Sequence, residues 1–142
     1  MNAPLTPDVR ESLLASARAA AQHSYSPYSR FRVGAAVLTT RGIFTGTNVE
    51  NASYGLCLCA ERAAFAAAMT AGAAEIQAIA VSCIDARKDV APAELMPCGA
   101  CRQWMSELAP RAEVIIDGVE RAWSASDLLP GAFALGRRDV IS

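Results

Sequence analysis

The chain has 142 residues, 53% of them hydrophobic, and a formal net charge of −1. That length suits one domain, residues 1–142, with enough apolar surface to fold without disulfides. A near-neutral charge with no basic patch excludes nucleic-acid and anionic-membrane binders, which rely on clustered Lys and Arg. No apolar run approaches the ~20 residues of a membrane span. The opening MNAPLTPDVRESLL carries prolines and acids where a secretory signal needs a positive start and an apolar run. A cytoplasmic chain is expected. Its five cysteines are an odd number, which favours metal binding or catalysis over a disulfide framework.

The elements follow in chain order. Thr6 is a natural helix cap and Pro7 suits a first helical position. Val9, Leu13, Leu14, Ala17 and Ala21 then recur at helical spacing, which predicts a helix to about His23. SYSPYSRF reads as a loop. FRVGAAVLTT and IFTGTNVE, separated by Arg41-Gly42, read as an antiparallel hairpin. NASYGLCLCA starts irregular and runs into the alanine-rich helix AERAAFAAAMTAG, closed by Gly72. IQAIAVSCID has the continuous apolar character of a strand covered on both faces. A polar loop, ARKDVAPAELM, leads to the helix PCGACRQWMSELA and a further buried strand, AEVIID. ASDLLPGAF closes the chain as a short capped turn and loop. A hairpin followed by alternating helices and strands predicts a mixed sheet in a three-layer α/β/α sandwich. Ligands of such folds sit at strand ends and helix N-termini.

Both inner helices open on cysteine: Cys59-Ala60-Glu61 on one, Pro97-Cys98-Gly99-Ala100-Cys101 on the other. Cys98 and Cys101 share a helix face. Right-handed crossovers put the two helices on one side of the sheet, where Cys59 can join them. Three thiolates fill three corners of a tetrahedral zinc site and leave the fourth to water, the pattern of a catalytic zinc. Helix N-termini offset thiolate charge. Arg62 and Arg102, each directly behind its motif, are candidate donors to sulfur. Glu61 is near enough to take a proton from a zinc-bound water. Two other readings compete: a redox pair of Cys98 and Cys101, and a closed structural zinc with Cys57 as fourth ligand. The first leaves Cys59 and Glu61 unexplained. Cys57 and Cys83 read as small packing residues, Cys83 within the core.

The segments PYSRFRVGAA, NVENASYG, LCAER, PCGACRQ and LLPGAF, in that order, resemble those of the small zinc-dependent cytidine deaminases, across roughly residues 9–136. The resemblance implies an about five-stranded mixed sheet and a homotetramer. It implies one Zn²⁺ per chain on Cys59, Cys98 and Cys101, with Glu61 as proton shuttle; of the two arginines, position favours Arg62 beside the thiolates. Phe31, Asn48 and Glu50 match positions that hold the nucleoside, the last two on the ribose hydroxyls. Ala52, Tyr54 and Phe133 match positions that reach a neighbouring subunit's pocket. Thr47 departs from several relatives, which have cysteine there. The implied reaction is hydrolysis of cytidine and deoxycytidine to the uracil nucleosides and ammonia, as pyrimidine salvage. Zinc hydroxide attacks C4 of the base, while Glu61 serves first as base and then as acid. A blasticidin S-type deaminase of the same fold is the alternative. NVENASYG and LLPGAF stand closer to the cytidine deaminases.

Overall fold

The computed structural model describes residues 4–137. Helix α1 (Pro7–Ala21) is capped by Thr6, whose hydroxyl accepts from the Val9 N–H. Its closing turn tightens: the N–H groups of Gln22, His23 and Ser24 reach carbonyls only three residues back, so the helix stops short of His23. Strands β1 (Val33–Thr39) and β2 (Gly42–Thr47) form the expected antiparallel hairpin. Helix α2 (Ala60–Thr70), strand β3 (Ile76–Cys83), helix α3 (Gly99–Leu108) and strand β4 (Glu113–Ile116) follow.

The sheet order is β2-β1-β3-β4-β5, with β5 the two-residue strand Trp123–Ser124. Only β3 and β4 run parallel, joined by the crossover through α3. A mixed five-stranded sheet between two helical layers results, as the α/β/α reading expects. Period-two alternation assigns the faces. Val37, Ile79, Val81, Val114 and Ile116 point to one side, where they pack with Phe65 of α2 and Met105 of α3. Ala36, Ala78, Ala80 and Ile115 point to the other, against Leu13, Leu14 and Ala17 of α1. Among the described residues no helix is long and apolar enough to cross a membrane.

Three departures from the predicted boundaries lie around the future site. Strand β2 ends at Thr47, so Asn48–Glu50 continue outside it, held by isolated bridges from Val49 to Tyr25 and Leu58. Helix α3 starts at Gly99 with Cys98 as its cap. The polar loop after β3 contains a single helical turn, Pro92–Leu95, with Leu95 buried.

Gly46 sets how closely α2 approaches the sheet. A Cβ there would meet the backbone N of Ala64 and would stand 2.6 Å from the carbonyl O of Ala60. Neither atom can move without the helix, which carries Cys59 and Glu61 at its N-terminal end. Gly46→Ala is therefore expected to cost about 2 kcal/mol or more. Gly55→Ala, where a Cβ meets nothing within 4 Å, is expected to stay within ~0.5 kcal/mol. Urea unfolding of both variants checks the contrast.

Candidate active site

Cys59 and Cys98 are the caps of α2 and α3, and neither side chain accepts a capping hydrogen bond from the first backbone N–H groups of its helix. The thiols of these two caps instead face each other, 3.7 Å apart between sulfurs. Cys101, one turn into α3, lies 3.5 Å from Cys98. All three sulfurs fall within 4.8 Å of one another. Tetrahedral ligands at the Zn–S distance of ~2.3 Å stand about 3.8 Å apart, so the cluster has the dimensions of three zinc corners. A disulfide would need about 2.05 Å; all five cysteines are free. Cys57 is outside the cluster: its sulfur accepts from the Asn51 N–H at 3.2 Å.

Arg62 donates from Nη2 to the Cys59 sulfur at 3.3 Å. Arg102 does not face the cluster. Its Nε donates to the Pro97 carbonyl at 2.8 Å and its Nη1 to the Leu128 carbonyl at 2.9 Å. It ties down the loop entering α3 instead of touching a thiolate. The cluster concentrates negative charge on Cys59. A hydrogen bond from the Cys101 thiol and the donor from Arg62 hold the Cys59 pKa down to about 5. Cys101 is the other half of that shared proton, and burial pushes it further above the usual thiol range.

Glu61 sits in the first turn of α2 and is only 4% exposed. Burial raises its carboxyl above the ordinary range, and the charge on Cys59 adds to this. It opens onto a cavity of about 250 Å³ that Cys59, Cys98, Phe31, Asn48 and Glu50 also line. The helix-borne thiols and Glu61 thus meet the extended segment beyond β2 in one pocket. Phe31 and Asn48 are half-buried there. Asn48 is braced by the Val33 N–H and the Phe31 carbonyl at 2.9 and 2.8 Å. Glu50 accepts the N–H groups of Tyr28 and Ser29 on one oxygen, at 3.0 and 3.1 Å. Hydrogen bonds from Ser29 and Tyr28 hold its carboxyl below the ordinary range. Thr47 donates to the Val33 carbonyl at 2.8 Å, a bond within the hairpin.

Ala52, Tyr54 and Phe133 are exposed, and none lines this cavity. Tyr54 leans edge-on against Tyr28, ring centroids 6.5 Å apart. Conversely, Cys83, Glu94, Leu95 and Met96 do line it. Cys83 is half-buried in the wall and not within the core, with its thiol pushed up to about 11 by burial. Its place at the carboxyl end of β3 is the available signal, since such sheets bind ligands there. The loop residues carry no such signal.

Known proteins are similar to this chain in sequence and fold. The sequence profile of the cytidine and deoxycytidylate deaminase zinc-binding region matches residues 7–117. A cytidine deaminase of Mycobacterium tuberculosis (strain H37Rv) is 47% identical over 131 residues, spanning 91% of this chain and 93% of that protein. One from Halalkalibacterium halodurans is 44% identical over 87% of this chain and 93% of its own length. The crystal structure of cytidine deaminase from Burkholderia pseudomallei superposes with a TM-score of 0.76 at 46% identity, covering 91% of this chain and 100% of that one. Fold and sulfur cluster define a zinc-dependent hydrolytic deaminase. The chain belongs to the cytidine and deoxycytidylate deaminase family.

The shared proton gives a pH-dependent signature. A thiol whose pKa is lowered is ionised above that pKa, so metal-stripped protein should be alkylated at Cys59 by iodoacetamide with a midpoint well below the ~8.5 of an ordinary thiol. Arg62→Ala should move that midpoint upward. Peptide mass spectrometry across a pH series reads both; a Cys59 midpoint near that of ordinary cysteine contradicts the assignment.

Proposed function

We propose that this enzyme, residues 1–142 acting as one domain, hydrolyses free cytidine and deoxycytidine to uridine and deoxyuridine with release of ammonia, in cytoplasmic pyrimidine salvage. The observation that carries the reading is a buried carboxyl, Glu61, in the wall of one cavity with Cys59 and Cys98, two of the three clustered thiols. A structural metal site has no use for such an acid.

Cys59, Cys98 and Cys101 hold one Zn²⁺ per chain. When bound, zinc lends the site a water whose pKa is lowered from about 15.7 toward ~7. Arg62 and the two helix N-termini offset the thiolate charge. Glu61 takes a proton from the attacking water and gives it to N3 of the cytosine ring, as oxygen bonds to C4. It then takes the proton of the new C4 hydroxyl and gives it to the amino group. The C4–N bond breaks and ammonia leaves, with oxygen retained on C4. One carboxyl serves both transfers, which suits a group raised by burial out of the ordinary carboxylate range. Asn48 and Glu50 hold the sugar hydroxyls, and Phe31 packs beside the nucleoside.

The working unit is a homotetramer in which Ala52, Tyr54 and Phe133 complete a neighbour's pocket. Their exposure supports this, with Tyr54 at 78% and Phe133 at 73%. Tyr25, Tyr28, Val49 and Leu56 add exposed apolar surface of the kind that marks interfaces.

Two experiments test the reading. Glu61→Gln should keep zinc and fold while turnover of cytidine falls by several orders of magnitude; zinc content and steady-state kinetics check it, and equal activity rules the mechanism out. Phe133→Ala should raise KM for cytidine about tenfold, by loss of ring stacking, with zinc retained. Refolding Phe133→Ala chains together with Glu61→Gln chains should give activity above either parent, because some pockets then combine both intact residues. Absence of rescue places Phe133 in its own subunit's service.

A further inference from the structure

Asn48 has less hydrogen-bonding capacity to offer a ligand than its side chain suggests. Its two backbone contacts fix which end of the amide is which. The Val33 N–H, 2.9 Å away, must meet Oδ1, and the Phe31 carbonyl, 2.8 Å away, must meet Nδ2. Oδ1 carries two lone pairs. Val33 takes one, and the Ser24 hydroxyl, at 2.6 Å, takes the other. Nδ2 has two hydrogens, one of them spent on Phe31. One N–H remains for the cavity that Asn48 lines.

Ser24 has a single proton and three oxygens within reach. The Ser26 hydroxyl stands at 3.0 Å, the Asn48 carbonyl at 3.3 Å and Asn48 Oδ1 at 2.6 Å. The shortest contact takes the proton. Ser24 is half-buried and held to the end of α1, its N–H donating to the Ala21 carbonyl at 3.1 Å. It does not itself line the cavity.

We propose that Ser24 is a positioning residue: its hydroxyl fills the last acceptor site of Asn48 and makes that amide a donor only. Glu50 is the complement. One of its oxygens is occupied by Tyr28 and Ser29, and its ionised carboxylate can only accept. A group that accepts from Asn48 and donates to Glu50 satisfies both, and a hydroxyl does so with one oxygen. An ether or carbonyl fails at Glu50, and an ammonium fails at Asn48. Ser24 thereby sets selectivity for hydroxyl-bearing sugars. This rests on the nucleoside reading above.

The test compares kcat/KM for cytidine with that for 2′,3′-dideoxycytidine, using the latter as competitive inhibitor where its turnover is slow. Losing one net hydrogen bond is worth about three- to tenfold. Ser24→Ala should raise KM for cytidine by about that factor, with kcat within about twofold, and should lower the cytidine-to-dideoxycytidine ratio equally. Ser24→Thr, which restores the hydroxyl, should recover the ratio. If Ser24→Ala does not fold, Ser24→Cys, a weaker donor of similar shape, should lower the ratio in the same direction. An unchanged ratio in a folded variant, or equal losses on both substrates, overturns the proposal. A wild-type enzyme inactive on cytidine would instead overturn the nucleoside reading.

Discussion

Two helix N-termini meet at one point in this structure, and the meeting is what makes the site possible. Cys59 and Cys98 occupy the cap positions of α2 and α3, where the first backbone N–H groups lack helical partners and the helix dipole is positive. Three thiols within 4.8 Å would repel one another once ionised. The helix ends and Arg62 oppose that repulsion before any metal arrives. The geometry is imposed from a distance. Gly46 lets α2 press onto the hairpin, and the parallel β3–α3–β4 crossover fixes α3. Arg102 pins the approach to α3 through two carbonyls.

The cavity joins two halves built on different physics. The helix half places a buried carboxyl beside soft sulfur donors, in surroundings where burial shifts proton affinities. The other half is extended chain beyond β2, stitched by the Val49 bridges to Tyr25 and Leu58. Its polar groups are already bonded to the protein, which leaves few open valences and gives each a fixed direction. On the proposed reading, reaction chemistry belongs to the first half and recognition to the second. Rigidity in the second costs the ligand little ordering entropy.

The spacing of Cys59, Cys98 and Cys101 made the cluster legible, because i, i+3 on a helix and a right-handed crossover leave little freedom in where three thiols fall. The sheet faces were legible from alternation, as in Ile79 and Val81 against Ala78 and Ala80. Strand β5 was not, since two residues carry no period. The sequence placed Arg62 and Arg102 alike behind their motifs and favoured Arg62; the structure separates them by the side chain's direction, since Arg62 reaches a thiolate and Arg102 reaches two carbonyls. Cys83 read as core from its apolar run, yet the last residue of a strand is where a wall begins. The bracing of Asn48 by Ser24 depends on the turn after α1, which no local pattern specifies. Ala52, Tyr54 and Phe133 stand away from the chain's own cavity, and a single sequence contains no geometry for a second copy.

The central claim is that the three thiols hold zinc with one position left open beside Glu61. X-ray absorption at the zinc edge on purified enzyme measures this directly. The account requires three sulfur neighbours at ~2.3 Å and one lighter oxygen or nitrogen neighbour at about 2.0 Å. Four sulfur neighbours would mean a closed structural site with a fourth cysteine, and would contradict the catalytic reading.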